Sequence, residues 1–573
     1  MNISLKELFR AYLSNCVQTR RQTGKSFIIG KTTVDSYVSF AEVDKLFDYA
    51  PERWKMYTSI YDIDSSKEIF DIIEKLSNDK DFKVKDAEGS SQYFRSNAIK
   101  QYYCFLKARE ILYRYKSISM PFSGEINDSI YLPFITALRT KPFLLLAGIS
   151  GTGKSRIVRE FAFKSCPEYL QDKAGTTPGN YCMIEVKPNW HDSTELLGYY
   201  SRLGQTGYQF KKFVKFLVKA KMFPKVPFFV CLDEMNLAPV EQYFAEILSI
   251  LETRKHPKND KTGETDMSVI KTEVIVDANY FRELSVMRIA KNKETNETYN
   301  QNLTDRDIYL KLFNIDTEED IDDEVGNRYE LTTEGLTLPD NVIIIGTVNM
   351  DDTTHQFSRK VIDRAMTIEM NGGRLANMFG GSKNLEYLPK EEQEKWQRAF
   401  SQRYVTADEV LEVHPEVANE LVKELPARLE KINEALKGTP FEVSYRVLNE
   451  LTIMVGVMLD NKNEEDTLEG IINQAVNNIL LMKILPRIEG DAEMFALSRP
   501  YRERMGITYS DRLEWLKALA PNIDEAPKEA TDEGEESEEI SIKEKKDHRQ
   551  TAKEKIEEMI DRLNNQEFTR FWP

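Results

Sequence analysis

The sequence predicts an α/β protein built on a parallel β-sheet that helices cover on both faces. Four apolar runs of strand length, "FLLLAGI", "YCMIEV", "FFVCLDEM" and "NVIIIGTVN", alternate with segments of helical periodicity between residues 131 and 369. Because these runs are continuously apolar, each strand is expected to be buried on both faces. The first run leads directly into the glycine-rich stretch "GISGTGKSR", which predicts a tight loop between a strand and a helix.

Length and composition exclude several classes of protein. The chain has 573 residues and is too long for one hydrophobic core, so several domains are expected. No apolar stretch approaches the roughly 18 residues that a membrane span needs. The N-terminus lacks the features of a signal peptide, and we expect a cytoplasmic protein without membrane contact. Five scattered cysteines without a CxxC pair indicate buried thiols rather than zinc ligands.

The first 120 residues are mainly helical in pattern. Ser4 and Glu7 have the spacing of a capping box, in which each side chain bonds the other's backbone amide at a helix start. Ser65 and Glu68 form a second such pair, followed by an amphipathic run. This region has a small excess of basic residues, although the net charge of the chain is −16. The excess permits a contact with nucleic acid there.

Three other regions complete the predicted organisation. An insertion at about 255–338 is rich in charged residues and Asn, and its stretch "TEVIVDANYFREL" is expected to form a hairpin in a surface subdomain. Residues 370–520 have helical periodicity throughout and predict a helical lid domain. Residues 521–573 predict a flexible charged tail, because the tract has too few apolar residues to form a core, with a short helix and "FTRFWP" at its end.

The glycine-rich stretch fits a phosphate-binding loop. Gly148, Gly153, Lys154 and Ser155 fill the pattern G-x-x-x-x-G-K-[ST] between a predicted strand and a predicted helix. Backbone amides of such a loop and the start of the helix attract phosphates, Lys154 is expected to reach the β and γ phosphates, and Ser155 to bind Mg²⁺. The predicted nucleotide-binding set also includes the other loop residues Ser150, Gly151, Thr152 and Arg156.

An acidic pair follows the third apolar run. Asp233 and Glu234 stand at the carboxyl end of "FFVCLDEM", where burial of two acids is costly unless they serve a bound group. We expect Asp233 to organise the Mg²⁺ shell and Glu234 to polarise the water that attacks the γ phosphate.

The fourth run supplies the remaining candidates for hydrolysis. Asn349 ends this run, and its amide is expected to hold the attacking water near the γ phosphate. Arg359 and Arg364 follow in the next helical stretch. Such an arginine cannot easily reach the nucleotide of its own chain, but in a ring it can stabilise the charge that develops on a neighbour's phosphate. The sequence leaves open which of the two arginines does so.

The order of phosphate loop, acidic pair, asparagine and arginine, followed by a helical domain, resembles that of AAA+ ring NTPases. More narrowly, four segments resemble McrB-like proteins, the motor subunits of restriction systems that cut modified DNA: "WHDSTELLGYY", "CLDEMNLAPVEQYFAEILSILETR", "PDNVIIIGTVNMDD" and "NNILLMKILPRIEGD". The resemblance covers about residues 131–495. The same motifs also occur in dynein-related and MoxR-like AAA+ proteins, so the superfamily is more firmly indicated than the clade.

The resemblance implies a function and several partners. It implies a ring of identical chains, a hexamer, which uses Mg²⁺ and hydrolyses GTP or ATP to translocate DNA. It also implies an McrC-like nuclease subunit as partner, and residues 1–120 as the domain that recognises the target, which is DNA with or without a modified base. A MoxR-like remodeller that acts on proteins remains an alternative function. The choice between GTP and ATP also stays open.

Two positions depart from the family signature, and a third residue matches the family less specifically. The McrB-like signature M-N-x-x-D-R-S is matched at Asn349 and Asp352, but Thr353 and Thr354 replace its Arg and Ser. Asp352 is therefore included among the candidate catalytic residues. Arg446, in "FEVSYRVLNEL", resembles the second sensor arginine that contacts nucleotide; a solvated helix arginine is an equally good interpretation.

Overall fold

The chain divides into two units, Met1–Met120 and Pro121–Pro573. The computed structural model describes residues 9–10, 17–19, 26–28, 61, 63, 66–79, 83, 98–103 and 105–106, and residues 131–572 apart from 173, 175, 204–206, 259–264, 268, 286–288, 292–297, 301–302, 316–320, 350–356, 371–384, 464 and 524–549.

The described parts of the first unit include a short hairpin and a helix. Strands β1 (Val17–Thr19) and β2 (Ser26–Ile28) pair antiparallel, and helix α1 spans Ser66–Asn78. Tyr102 is fully buried, packs edge-on against Phe9 and donates a hydrogen bond to the carbonyl of Ile63. This aromatic residue therefore belongs to a hydrophobic core. Three of the residues in the two predicted capping pairs, Ser4, Glu7 and Ser65, lie outside the described residues.

A parallel sheet forms the centre of the second unit, so the predicted α/β fold is confirmed. Within the described ranges its strand order is β13-β3-β12-β7-β4, and every neighbouring pair is parallel. The bounds are β3 (Phe143–Gly148), β4 (Tyr181–Glu185), β7 (Phe228–Asp233), β12 (Val342–Asn349) and β13 (Met366–Glu369). Four of these are the predicted apolar runs. The fifth, β13, is an edge strand of four residues that the apolar runs did not predict.

Helices cover both faces of the sheet, because the strands are apolar on both sides. Leu144 and Leu146 of β3 face a core shared with the lid, and Phe143 and Leu145 face a second core. The helices of the sheet domain are α2 (Leu132–Thr140), α3 (Lys154–Ser165), α4 (Thr194–Leu197), α5 (Lys212–Met222), α6 (Val240–Tyr243) and α7 (Ala245–Leu251). Strands β5 (Gly198–Ser201) and β6 (Gly207–Phe210) form a hairpin between α4 and α5.

The insertion is partly integrated into the sheet domain. It contains β8 (Val274–Val276), α8 (Ala278–Ser285), β9 (Ile289–Lys291), β10 (Thr298–Asn300), α9 (Asp305–Phe313), α10 (Asp323–Gly326), α11 (Glu330–Thr333) and β11 (Leu336–Thr337). The prediction that "TEVIVDANYFREL" forms a hairpin is wrong. Strand β8 pairs with β11 at the far end of the insertion, and a helix follows β8. Phe281 and Ile308 are buried in the second core, so apolar packing to the domain decides this local structure.

Beyond α12 (Arg359–Ile362) and β13, the chain forms the predicted helical region. Its elements are α13 (Lys390–Ala399), α14 (Ala407–Val413), α15 (Ala418–Leu436), α16 (Tyr445–Asp460), α17 (Leu468–Ile479), β14 (Glu489–Asp491), α18 (Ala492–Phe495), α19 (Arg499–Met505) and α20 (Arg512–Leu519). Apolar residues of α13, α15, α16 and α17 share one core with α3 and β3. The lid therefore packs on the face of the sheet that helix α3 covers.

The end of the chain folds back onto this lid. Helix α21 (Ala552–Gln566) begins with a capping box, and β15 (Phe568–Arg570) pairs antiparallel with β14. Lys555 is buried and forms an ion pair of 2.5 Å with Glu369 at the end of β13. The predicted terminal helix is present, but it belongs to the lid core instead of extending from it. Residues 524–549 of the predicted flexible tail lie outside the described residues.

Among the residues that the structure describes, no helix combines the length and the apolar character that crossing a membrane requires.

Candidate functional site

The glycines of the phosphate loop hold conformations that other residues adopt at a cost. Gly148 ends β3, and a Cβ at this position would lie 2.4 Å from the carbonyl oxygen of Met370. Gly151 and Gly153 have φ angles of 85° and 84°, in the left-handed region that favours glycine. Gly153 directly precedes helix α3. The loop thus turns sharply from strand to helix, and its backbone amides come together at the start of the helix.

The two polar residues that begin α3 are held inside this loop. Lys154 is buried, and its Nζ donates hydrogen bonds to the carbonyls of Gly148 and Ile149 at 2.9 and 2.8 Å. Ser155 Oγ donates to Asp233 Oδ1 at 2.5 Å. The latter bond joins the phosphate loop to the carboxyl end of β7. The predicted Mg²⁺ ligands are therefore neighbours in the structure.

These two oxygen ligands fit a magnesium ion that is shared with a nucleotide. Hydroxyl and carboxylate oxygens are ligands that Mg²⁺ prefers, and the ion usually keeps water and phosphate oxygens as its other ligands. Over the described part of the chain, no group of three or more His, Cys, Asp or Glu side chains could hold a metal ion by itself. Metal binding at Ser155 and Asp233 would therefore depend on bound phosphate.

The remaining loop residues of the predicted set lie on the outer side of the turn. Ser150 and Gly151 are exposed, and Arg156 is exposed on α3. Thr152 Oγ1 donates to the carbonyl of Ile149 at 3.1 Å, which stabilises the turn from within. Asp352, together with Thr353 and Thr354, lies outside the described residues.

Thr347 connects the two acids of the pair and was missed by the sequence analysis. It is buried in β12, where its Oγ1 donates to Asp233 Oδ1 at 2.8 Å and accepts a hydrogen bond from the backbone N–H of Glu234 at 2.9 Å. Thr347 and Asn349 share one face of the strand because side chains alternate. The available signal was a hydroxyl inside an otherwise apolar run, two residues before Asn349.

Glu234 and Asn349 lie in direct contact. Glu234 has φ 51° and ψ 50°, a left-handed conformation that is uncommon outside glycine and costs about 1 kcal/mol or more. Its Oε1 accepts a hydrogen bond of 2.9 Å from Asn349 Nδ2. Strained backbone of this kind persists only where its surroundings fix it. Here the bond from its N–H to Thr347 does so.

Asn236 is a second residue that the sequence analysis missed. Its side chain is buried, and Nδ2 donates to the carbonyl of Asn349 at 2.8 Å. Its Oδ1 has no hydrogen-bond partner among the described residues. Because it fixes the backbone at the end of β12, Asn236 orients Asn349 toward Glu234.

Of the two candidate arginines, Arg364 lies at the opposite edge of the sheet. Arg364 precedes β13, in which Met366 pairs with Leu144 of β3, so it lies level with the start of β3. Six residues of strand separate this level from Gly148, which corresponds to about 20 Å. Arg359 is exposed and stacks over Phe441 at 5.1 Å. At a separation of about 20 Å, Arg364 cannot reach a nucleotide in the phosphate loop of its own chain.

Arg446 also lies at this edge, where the parallel strands begin and which we call the amino edge. In this arrangement of lid and sheet it cannot contact a nucleotide bound by its own chain. Its NH2 forms an ion pair of 2.8 Å with Glu252, the residue that follows α7. The same carboxylate lies 3.4 Å from Nζ of Lys141, which precedes β3, and 4.0 Å from Nε of Arg364. Glu252 lies in the quoted segment "CLDEMNLAPVEQYFAEILSILETR", but nothing in the sequence marks it as the partner of these distant cations.

A buried group of charges lies beneath this cluster. Glu450 of α16 forms ion pairs with Lys141 at 2.6 Å and with Lys483 at 2.9 Å. Burial alone would raise the pKa of Glu450, but the two lysines hold it below its ordinary value. Burial lowers the pKa of Lys483 to about 8, although Glu450 opposes this shift. Lys483 also donates to the carbonyls of Asp363 and Ala365, which ties the lid to the turn that carries Arg364.

Comparisons with known proteins give limited matches. Residues 395–568 match a family described as a domain of unknown function, DUF8727, which spans lid helices and the terminal helix α21. A solved structure of a candidate ATPase from Cytophaga hutchinsonii is similar to this chain at 15% sequence identity and a TM-score of 0.28. The alignment covers 73% of this chain and 95% of the Cytophaga chain. The comparison with curated proteins gives no match.

Proposed function

We propose that the chain hydrolyses a nucleoside triphosphate with Mg²⁺ at the carboxyl edge of its parallel sheet. The observation that carries this proposal is the hydrogen bond from Ser155 to Asp233, which joins the phosphate loop to the acidic pair. Glu234 and Asn349 lie beside it in mutual contact. A phosphate-binding loop, two metal ligands and a carboxylate for water therefore meet at one place.

Each of these residues has a distinct role in the proposed reaction. Lys154 exchanges its two carbonyl partners for oxygens of the β and γ phosphates. Ser155 and Asp233 hold Mg²⁺, which offsets the charge on the phosphate oxygens when bound. Glu234 orients and polarises the attacking water, and Asn349 holds both this water and the Glu234 carboxylate.

The proposed site needs a second copy of the chain. Arg364 lies about 20 Å along the strands from Gly148, so it can act only on a nucleotide bound by another molecule. An arginine supplied in this way stabilises the charge of the transferred phosphate. Identical chains that each present a phosphate loop at one edge and an arginine at the other associate head to tail, and such contacts form a ring where the rotation between neighbours closes. The resemblance to McrB-like proteins favours a hexamer.

The same resemblance supports a proposal for what hydrolysis drives. Residues 1–120 would select a DNA target, and GTP or ATP hydrolysis would translocate the DNA and activate a separate McrC-like nuclease subunit. The test is turnover of ATP and of GTP, each with and without duplex DNA, by the full chain. Stimulation by DNA is expected. Turnover that is indifferent to DNA would favour a remodeller of proteins, and absence of turnover with either nucleotide would refute the hydrolase itself.

A further inference from the structure

One carboxylate at the amino edge of the sheet, Glu252, contacts three cations that come from three separate segments. Glu252 follows α7, Lys141 precedes β3, Arg364 follows α12 and Arg446 lies in the first turn of α16. Among the described residues, the three cations lie 2.8 to 4.0 Å from the oxygens of Glu252. Because both guanidinium groups contact the same carboxylate, they can also contact one and the same anion in its place.

The cluster has more positive charge than its own acids neutralise. Within the described part of the chain, Lys141 and Lys483 share Glu450, while Arg364 and Arg446 have Glu252. Asp363 and Arg487 belong to the same group and pair with each other at 3.1 Å. Five cations among the described residues thus face three carboxylates. Nε of Arg364 is buried and has no hydrogen-bond partner among the described residues, since 4.0 Å to Glu252 is too long for one. The cluster therefore has unused capacity for an anion with more charge and more oxygens than a carboxylate.

The neighbouring surface indicates what covers this edge. Tyr445, directly before Arg446, is 90% exposed. Aromatic residues and arginines are enriched at protein interfaces, where an aromatic side chain contributes a large contact area. A second copy of the chain, docked so that its phosphate loop faces this edge, would cover Tyr445 and bring a terminal phosphate to the two arginines.

We propose that the Glu252 carboxylate is a placeholder for the terminal phosphate of a nucleotide held by a second copy of the chain. In the single chain it keeps Arg364 and Arg446 together and neutralises them. On association the phosphate takes its position, because a guanidinium binds carboxylate and phosphate with the same paired geometry and the phosphate carries more charge. Glu252 is thus a positioning residue that also competes with assembly. This inference rests on the proposed hydrolysis.

The test is turnover per chain as a function of protein concentration, at saturating nucleotide, for the full-length wild type and Glu252→Gln. Glutamine keeps the shape of the side chain and removes the competing charge. We expect the protein concentration at half-maximal turnover to fall about three- to tenfold, the effect of releasing partly exposed ion pairs. A half-maximal concentration that stays unchanged or rises would overturn the inference.

Glu330→Gln is a matched control. The Glu330 side chain is 27% exposed, against 26% for Glu252, and it also contacts one lysine and one arginine, Lys221 and Arg328. It lies in the insertion, and its substitution is expected to leave the half-maximal concentration unchanged. Thermal melting of both variants checks folding: a merely structural role of Glu252 predicts a lower melting temperature together with a higher half-maximal concentration.

A double variant identifies the group that Glu252 restrains. In an Arg446→Ala background, adding Glu252→Gln is expected to shift the half-maximal concentration less than it does in the wild type, because one of the cations it holds is absent. Equal shifts in both backgrounds would contradict the proposal. Wild-type turnover that depends on protein concentration but does not respond to Glu252→Gln refutes this inference alone, whereas absence of wild-type turnover refutes the proposed function.

Discussion

The two edges of the central sheet hold their charged groups in different ways. At the carboxyl edge, Ser155, Asp233, Thr347 and Glu234 are connected by short hydrogen bonds between adjacent strands and the loop. At the amino edge, Glu252 and its cations come from segments more than 300 residues apart, from Lys141 to Arg446. The first edge is complete as a hydrogen-bonded unit within one chain. The second has excess positive charge and an exposed aromatic residue.

This difference indicates a division of labour. The carboxyl edge is arranged for a nucleotide of its own chain, since its ligands converge without help from elsewhere. About 20 Å of strand separates the amino edge from the phosphate loop, so in the proposed function it would serve a nucleotide of another molecule. The buried ion pairs of Glu450 and the hydrogen bonds of Lys483 tie the lid to the turn that carries Arg364.

The largest effect is expected for the arginine of the amino edge. Arg364→Ala should lower turnover by about 10³-fold or more, because an arginine supplied in trans to the transition state has an effect of this size. Nucleotide binding should be retained. Arg359→Ala is the control, since Arg359 stacks on Phe441 away from Glu252, and it should retain most of the turnover. The reverse outcome would assign the role to Arg359.

Glu234→Gln tests the carboxyl edge and should lower turnover by about 10²- to 10⁴-fold. The variant should still bind nucleotide, because Lys154, Ser155 and Asp233 are unchanged. Equilibrium binding of a fluorescent nucleotide analogue and single-turnover hydrolysis separate these two effects. Turnover at the wild-type rate would remove Glu234 from the reaction.

Mixing these two variants tests whether the edges belong to different chains. A ring that contains both Arg364→Ala and Glu234→Gln chains has some interfaces with an intact Glu234 from one chain and an intact Arg364 from the next. Turnover of the mixture should therefore exceed that of either variant alone. Strict additivity of the two residual activities would show that both residues act within a single chain.

Thr347→Val tests the residue that holds the acidic pair together. The substitution keeps the volume, but it removes a hydrogen bond to Asp233 and leaves the N–H of Glu234 without its acceptor. An unpaired group of this kind costs about 1–3 kcal/mol, and we expect turnover to fall about tenfold. Thr347→Ser keeps the hydroxyl and should restore most of the rate. Equal effects of both variants would show that packing alone matters there.

The sequence was informative where function resides in contiguous motifs. The strands could be predicted from continuous apolar runs, and the phosphate loop and acidic pair could be placed because strand ends in a parallel sheet meet at one edge. Thr347 and Asn236 were not identified, since a hydroxyl in a strand and an amide in a short loop have no distinctive spacing. Glu252 could not be identified at all, because its role depends on the packing of distant segments.

Tertiary packing also decided the elements that the sequence assigned differently. The stretch that begins at Val274 has the apolar alternation of a hairpin, yet its second half forms α8, because Phe281 packs into the core of the sheet domain. The terminal helix is flanked by a charged tract and resembles an isolated segment. It is instead held by Ile556, Met559 and the buried Lys555 to Glu369 ion pair.

The smallest expected effect concerns Lys483, which holds the lid to the turn before β13. Its ordinary pKa is 10.5, and burial lowers its pKa to about 8 in the folded chain. The unfolded chain therefore binds the proton more strongly, and the charged form opposes folding. As the pH rises from about 8 to 10.5, this opposition is relieved and the stability of the wild type should rise relative to that of Lys483→Met, which cannot titrate. Melting temperatures of both proteins across this pH range measure the difference.

Glu450 remains paired with Lys141 in the variant, so the comparison is not affected by an unpaired buried charge. A difference in melting temperature that is constant with pH would show that Lys483 has an ordinary pKa and that the amino edge is more hydrated than its burial indicates.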